Sequence, residues 1–121
     1  MRVIEGAGRY AAAPGGEPNH WAEHLASDDL SVGTYSIPAG GLDDQEPHRE
    51  DEIYVVQAGA ATLVTGSGTA QARAGSVIFV PAGERHQFTD IREDLALLVV
   101  FAPPYGSRAG VENAATAPSS S

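Results

Sequence analysis

Apolar residues in this chain come in short bursts separated by turn residues, without a sustained 3.6-residue period, and that pattern predicts strands throughout. His20 to Ala26 (HWAEHLA) fits a helical turn or a strand. The Asp28-Asp29 turn and the strand-like Ser31 to Ile37 favour an antiparallel pair. After Pro38-Ala39-Gly40-Gly41 come Ile53 to Val56, Ala60 to Thr65, Thr69 to Arg73, Val77 to Val80, His86 to Thr89 and Leu95 to Phe101. Gly66-Ser67-Gly68 reads as a hairpin turn, and Ala74-Gly75 and Pro81-Ala82-Gly83 break the runs that precede them. Roughly eight or nine short strands at this spacing predict an all-β sandwich or barrel. The wholly apolar LALLVVF predicts a strand covered on both faces.

The organisation that follows is a single domain in three stretches. Residues 1–37 form an N-terminal arm and the outer strands, residues 38–102 the core barrel, and residues 103–121 a flexible tail low in apolar content. A chain of 121 residues can bury a core without disulfides, and it contains no cysteine, so thiolate nucleophiles and cysteine zinc sites are excluded. With 16 acidic against 7 basic residues the net charge is -9, and lysine and arginine form no cluster, so nucleic acid and anionic membranes are not expected partners. The first residues lack the apolar core of a secretory signal, and no apolar run spans a membrane; a soluble, cytoplasmic protein is expected.

Two strand-turn units concentrate the chemistry. In GLDDQEPHREDEIYVVQAG (41–59), His48 and Glu52 are separated by three turn-forming polar residues, which brings their side chains together before a strand. In GSVIFVPAGERHQFTD (75–90), an apolar strand runs into a turn and His86 follows it. Period-two geometry puts Glu52, Tyr54 and Val56 on one face, and His86 and Phe88 on another. No phosphate-binding loop and no Ser-His-Asp arrangement is present.

These two segments resemble the paired sequence motifs of the cupin superfamily. Gly75, Pro81, Gly83 and His86 fall on the second motif, with Asp90 where asparagine is usual; His48, Glu52 and Gly59 keep the spacing of the first, with Glu46 in place of its first histidine. The resemblance implies a small jelly-roll barrel, or double-stranded β-helix. It also implies a ligand set of Glu46, His48, Glu52 and His86 for a divalent transition metal. Two imidazoles with carboxylates favour Fe2+ or Mn2+, while Ni2+, Zn2+ and Cu2+ are also compatible. Pro47 offers an alternative, a kink that turns Gln45 inward as the ligand and leaves Glu46 as a catalytic base or as a solvated acid beside Glu50 and Asp51. Tyr35, Tyr54 and Phe88 fit core positions and are also the candidate substrate pocket. The function implied is a metal-dependent enzyme acting on a small organic molecule, foremost a dioxygenase. The alternatives are a non-redox isomerase, cyclase or lyase, and a non-catalytic binding module. Small cupins also pair through their outer sheets, so a homodimer is expected.

Overall fold

The computed structural model describes residues 1–108, and most of the stretch expected to be a flexible tail, 103–121, lies outside them. The first six residues of that tail, 103–108, are placed against the barrel, contrary to a wholly flexible segment. Among the described residues the chain is all-β, with a three-residue 3-10 turn at Pro14–Gly16 as its only helical element. Six antiparallel strands make one sheet: β1 (His20–Ala26), β2 (Ser31–Ile37), β3 (Asp51–Thr65), β4 (Gly68–Arg73), β5 (Val77–Val80) and β6 (His86–Ala102), in the order β1-β2-β6-β3-β4 with β5 also on β3. No helix among the described residues is long and apolar enough to cross a membrane.

Strands β3 and β6 are each the fusion of two expected strands. Their ladder runs from Asp51 opposite Ala102 to Thr65 opposite His86, and its register shifts three times between Val56 and Thr62. The gaps between those expected strands, residues 57–59 and 90–94, hold these irregularities, which bend the ladder instead of ending it. Gly59 has φ +97, and a Cβ there would meet the backbone of Asp94 and Leu95, so only glycine fits the bend. Asp90 takes a left-handed φ of 50, a conformation that Asp and Asn tolerate better than other side chains, and its carboxylate holds Arg92 at 2.6 Å.

The bend lets one strand serve both halves of the barrel. The start of β3 pairs with β5 and the end of β6, while its far half pairs with β4 and the start of β6. Alternation is clean at the start of β3, where Glu52, Tyr54 and Val56 point inward and Asp51 and Ile53 outward. On β6, Leu95, Ala96 and Leu97 are all buried, as expected of a strand covered on both faces. The N-terminal arm crosses the outside of β2, with Gly8 N–H donating to Thr34 Oγ1 and Ala11 N–H to Ser36 Oγ. Inside lie Ile37, Tyr54, Leu63, Phe88, Leu95 and Leu97, each almost fully buried.

Candidate metal centre

Three side chains converge where β3 begins and β6 begins. Glu52 is the first inward residue of β3 and sits opposite Val80 at the end of β5. The turn after Val80 then brings in His86, the first residue of β6. His48 comes from the loop before β3, pinned by Gly83 N–H donating to its carbonyl at 2.8 Å, while Ala82 N–H donates to the Asp51 carboxylate. The two sequence segments are thus bonded to each other directly beside the site.

His48 Nε2 lies 2.8 Å from Glu52 Oε1, and His86 Nε2 lies 3.0 Å from that same oxygen. One ligand atom from each of the three residues falls within 4.8 Å of the others. Each imidazole also places Nδ1 against a backbone carbonyl, His86 against Glu84 at 2.9 Å and His48 against Glu50 at 3.3 Å. A carbonyl only accepts, so these contacts suit a ring proton on Nδ1, which frees Nε2 to offer its lone pair to a cation. Two imidazole nitrogens and one carboxylate oxygen then face one another, with Glu52 and His86 buried and His48 half-buried. His86 Nε2 has no hydrogen-bond partner despite the short distance to Glu52. Such a set of acceptors is satisfied by a cation between them, and the backbone contacts on Nδ1 are the outer partners that metal-bound histidines commonly have. The residues present therefore fit a divalent transition ion.

Without that cation, protons take its place. Burial alone would raise the Glu52 pKa, but the two histidines more than reverse it and hold the carboxyl below its ordinary range. Burial alone would lower His86, yet Glu52, the Glu84 carbonyl and the Asp43 charge hold it above the usual imidazole value. The Tyr54 hydroxyl, pushed up by burial and then by the charges of Glu52 and Asp43, stays protonated.

Glu46 is not brought into this group. Residues 41–50 form no strand, and Glu46, the residue at the motif's first-histidine position, is exposed. Gln45 turns inward, and its Nε2 donates to the Tyr54 hydroxyl at 3.0 Å and to Asp43 Oδ2 at 3.2 Å. Of the aromatic candidates, Tyr35 lines a cavity beside Glu52, whereas Tyr54 and Phe88 do not. Those two are core, packed edge to face with centroids 4.9 Å apart.

Two buried acids escaped the sequence reading. Asp43, 1% exposed, accepts from Tyr35 O–H and from Phe88 N–H, each at 2.8 Å, and so ties the loop to β2 and β6. Its only signal was its place two residues before Gln45 in a run of acids that looks solvent-facing. Glu50, also 1% exposed, is no solvated loop acid; one oxygen accepts from Arg108 N–H, and the other lies 3.9 Å from His48 Nδ1. Its partner is 58 residues away, which no local pattern reveals.

Two openings reach the cluster. A polar cleft of about 670 Å³ runs along Asp43 to Pro47 and Arg85 to Gln87, with His86 in its wall. A smaller cavity of about 140 Å³ has Glu52 in its wall and aromatic rings around it.

Residues 33–101 match the family model described as a cupin domain, more than half of the chain. This chain is a cupin. It is 46% identical over 84 residues to an uncharacterized protein of Streptomyces coelicolor, covering 69% of this chain and 80% of that one. Among solved structures it is similar to an RmlC-like cupin protein from Desulfovibrio desulfuricans, with a TM-score of 0.71 and 20% identity, over 86% of this cupin and 98% of that chain. It is also similar to an RmlC-like cupin with a double-stranded β-helix fold from Methanocaldococcus jannaschii, with a TM-score of 0.64 and 16% identity, over 78% and 88%. At such identities the two structures speak for the fold.

Proposed function

We propose that this cupin is a cytoplasmic, metal-dependent enzyme, foremost an oxygenase, that holds Fe2+ or Mn2+ on His48, Glu52 and His86 and acts on a small organic molecule. The observation that carries this reading is the convergence of two imidazole Nε2 atoms on one buried carboxylate oxygen, each ring oriented from behind by a backbone carbonyl. Two histidines and one carboxylate form the ligand set of non-haem iron(II) oxygenases. When bound, such an ion supplies Lewis acidity and, as iron(II), redox chemistry toward O2. Three protein ligands leave coordination positions for substrate, whereas a structural site closes on four.

The chain's own residues supply the rest. Glu52 and His86 are almost wholly shielded, which keeps bulk water from the ligand atoms and strengthens every charge interaction there. Gln45, held by Asp43 and Tyr54, borders both openings, as does Asp44. Glu46 stands in the wall of the cleft that also contains His86, where it could serve a substrate as a base without binding the ion.

The test is to load the protein anaerobically with Fe(II), add nitric oxide as an O2 surrogate, and record the electron paramagnetic resonance spectrum. The high-spin iron-nitrosyl signal is expected from the wild type and from Glu46→Gln. Absence of that signal with Fe(II) demonstrably bound would end the oxygenase reading in favour of a non-redox cupin or a binding module.

A further inference from the structure

The small cavity beside Glu52 has walls that the cupin match does not account for. Asn19, Trp21 and Tyr105 line it, and all three lie outside residues 33–101. Trp21 is the chain's single tryptophan. It reaches the cavity because residue 33 is glycine: a Cβ there would sit 2.3 Å from the indole, so the ring lies on bare backbone. Tyr105 comes from the segment after β6, anchored by its own N–H donating to Ser31 Oγ at 2.9 Å. The rings of Trp21, Phe101 and Tyr105 then surround one another at centroid distances of 4.7 to 6.0 Å. Four aromatic residues, counting Tyr35, thus face a space of about 140 Å³, the size of a single ring with small substituents.

The polar part of the wall narrows the occupant further. Asn19 commits its amide N–H to Leu42 O and Asp44 Oδ1, and Gln45 commits its own to Asp43 and Tyr54, so what each amide has left to offer is its oxygen. Tyr35 gives its O–H to Asp43. Asp44 and Glu52 add carboxylates, and no lysine, arginine or histidine lines the cavity among the described residues. An anion would therefore meet acceptors and negative charge, while a hydroxyl would find partners.

We infer that this cavity binds an uncharged single-ring phenol, such as catechol, with its ring against the cluster of Trp21, Phe101 and Tyr105 and a hydroxyl toward Gln45 and Glu52. The inference rests on the metal-centre reading only for what lies at Glu52; the aromatic walls stand without it.

Trp21 makes binding directly visible. Catechol, benzoate and cyclohexane-1,2-diol are titrated into metal-free and Zn(II)-loaded protein while tryptophan emission is followed. Saturable quenching by catechol is expected in both forms. In the metal-free form benzoate and the diol should bind at least about tenfold more weakly, one carrying a negative charge and the other lacking the aromatic ring. Tyr105→Ala, at a half-exposed position, should weaken catechol about tenfold, and Gly33→Ala, which displaces the indole, should shift the emission and weaken catechol likewise. No saturable quenching by catechol in either form, equal affinity for benzoate in the metal-free form, or full affinity in both folded variants would overturn the inference. Catechol binding by protein that takes up no Zn(II) would support the cavity assignment while removing the metal-centre reading.

Discussion

At the scale of single residues, the buried triad sets opposing demands on pH. His86, held above the usual imidazole value of 6.5, stabilises the fold fully below that value and ceases to do so as pH rises through its folded pKa. Glu52, held below the usual 4.5, stabilises the fold above that value and ceases to do so as pH falls through its folded pKa. Metal-free protein should therefore be most stable between 4.5 and 6.5. A bound ion replaces the proton on Nε2, so the advantage of Zn(II)-loaded over metal-free protein should grow as pH rises above 6.5. Melting temperatures across this range, with chelator and with Zn(II), check both; a metal-free optimum at alkaline pH would contradict a protonated His86 beside an ionised Glu52. The convergence of His48, Glu52 and His86 was legible because three turn-forming residues join His48 to Glu52 ahead of a strand and His86 follows the Pro81-Ala82-Gly83 turn, both at the spacing of the cupin motifs. Glu46 was not, because its assignment came from its place in the motif, and that place falls in a loop where its side chain is exposed. Asp43 and Glu50 were invisible for a related reason, since acids in an unstructured run read as solvated until their distant partners are known.

At the scale of elements, turn residues were read correctly as interruptions and too strongly as ends. Gly59 and Asp90 break the pattern of alternation, yet the ladder of β3 with β6 passes across both as a bent pair. A bulge and a loop share their local chemistry, and only the pairing partner distinguishes them. The segment after β6 was misjudged in the opposite sense. Gly, Pro and Ser around it conceal that Tyr105 packs on Phe101 and His48, and that Arg108 N–H reaches the buried Glu50. Ending the chain at Ala102 uncovers Glu50 and one side of His48. It should lower the stability of the metal-free protein by about 2 kcal/mol, the scale of a hydrogen bond to a charged group, and shorten the lifetime of the loaded form. Urea unfolding and a chelator-competition time course measure these; unchanged values would show the segment to be a passive cover.

At the scale of the whole molecule, the all-β class and the single barrel were legible because short strands and frequent turns leave no helical alternative. Which outer surface remains free was not legible, since the arm covers part of β2 and β6 while the edge at β5 stays open. There Val77 and Phe79 are 68% and 59% exposed, with Ile53 opposite Phe79 on β3. An apolar stripe along an unpaired strand edge is an association surface. A homodimer is therefore expected by light scattering at micromolar concentration, and Val77→Lys with Phe79→Lys should give monomers that keep the fold; a monomeric wild type would contradict it.

The centre itself is tested most directly by counting metal. Wild type, Glu46→Gln and the His48→Ala, His86→Ala double variant are equilibrated anaerobically with Mn(II), dialysed, and assayed by elemental analysis alongside circular dichroism. About one ion per chain is expected in the wild type and in Glu46→Gln, and essentially none in the folded double variant. Equal metal content in the wild type and the double variant would contradict a centre at His48, Glu52 and His86.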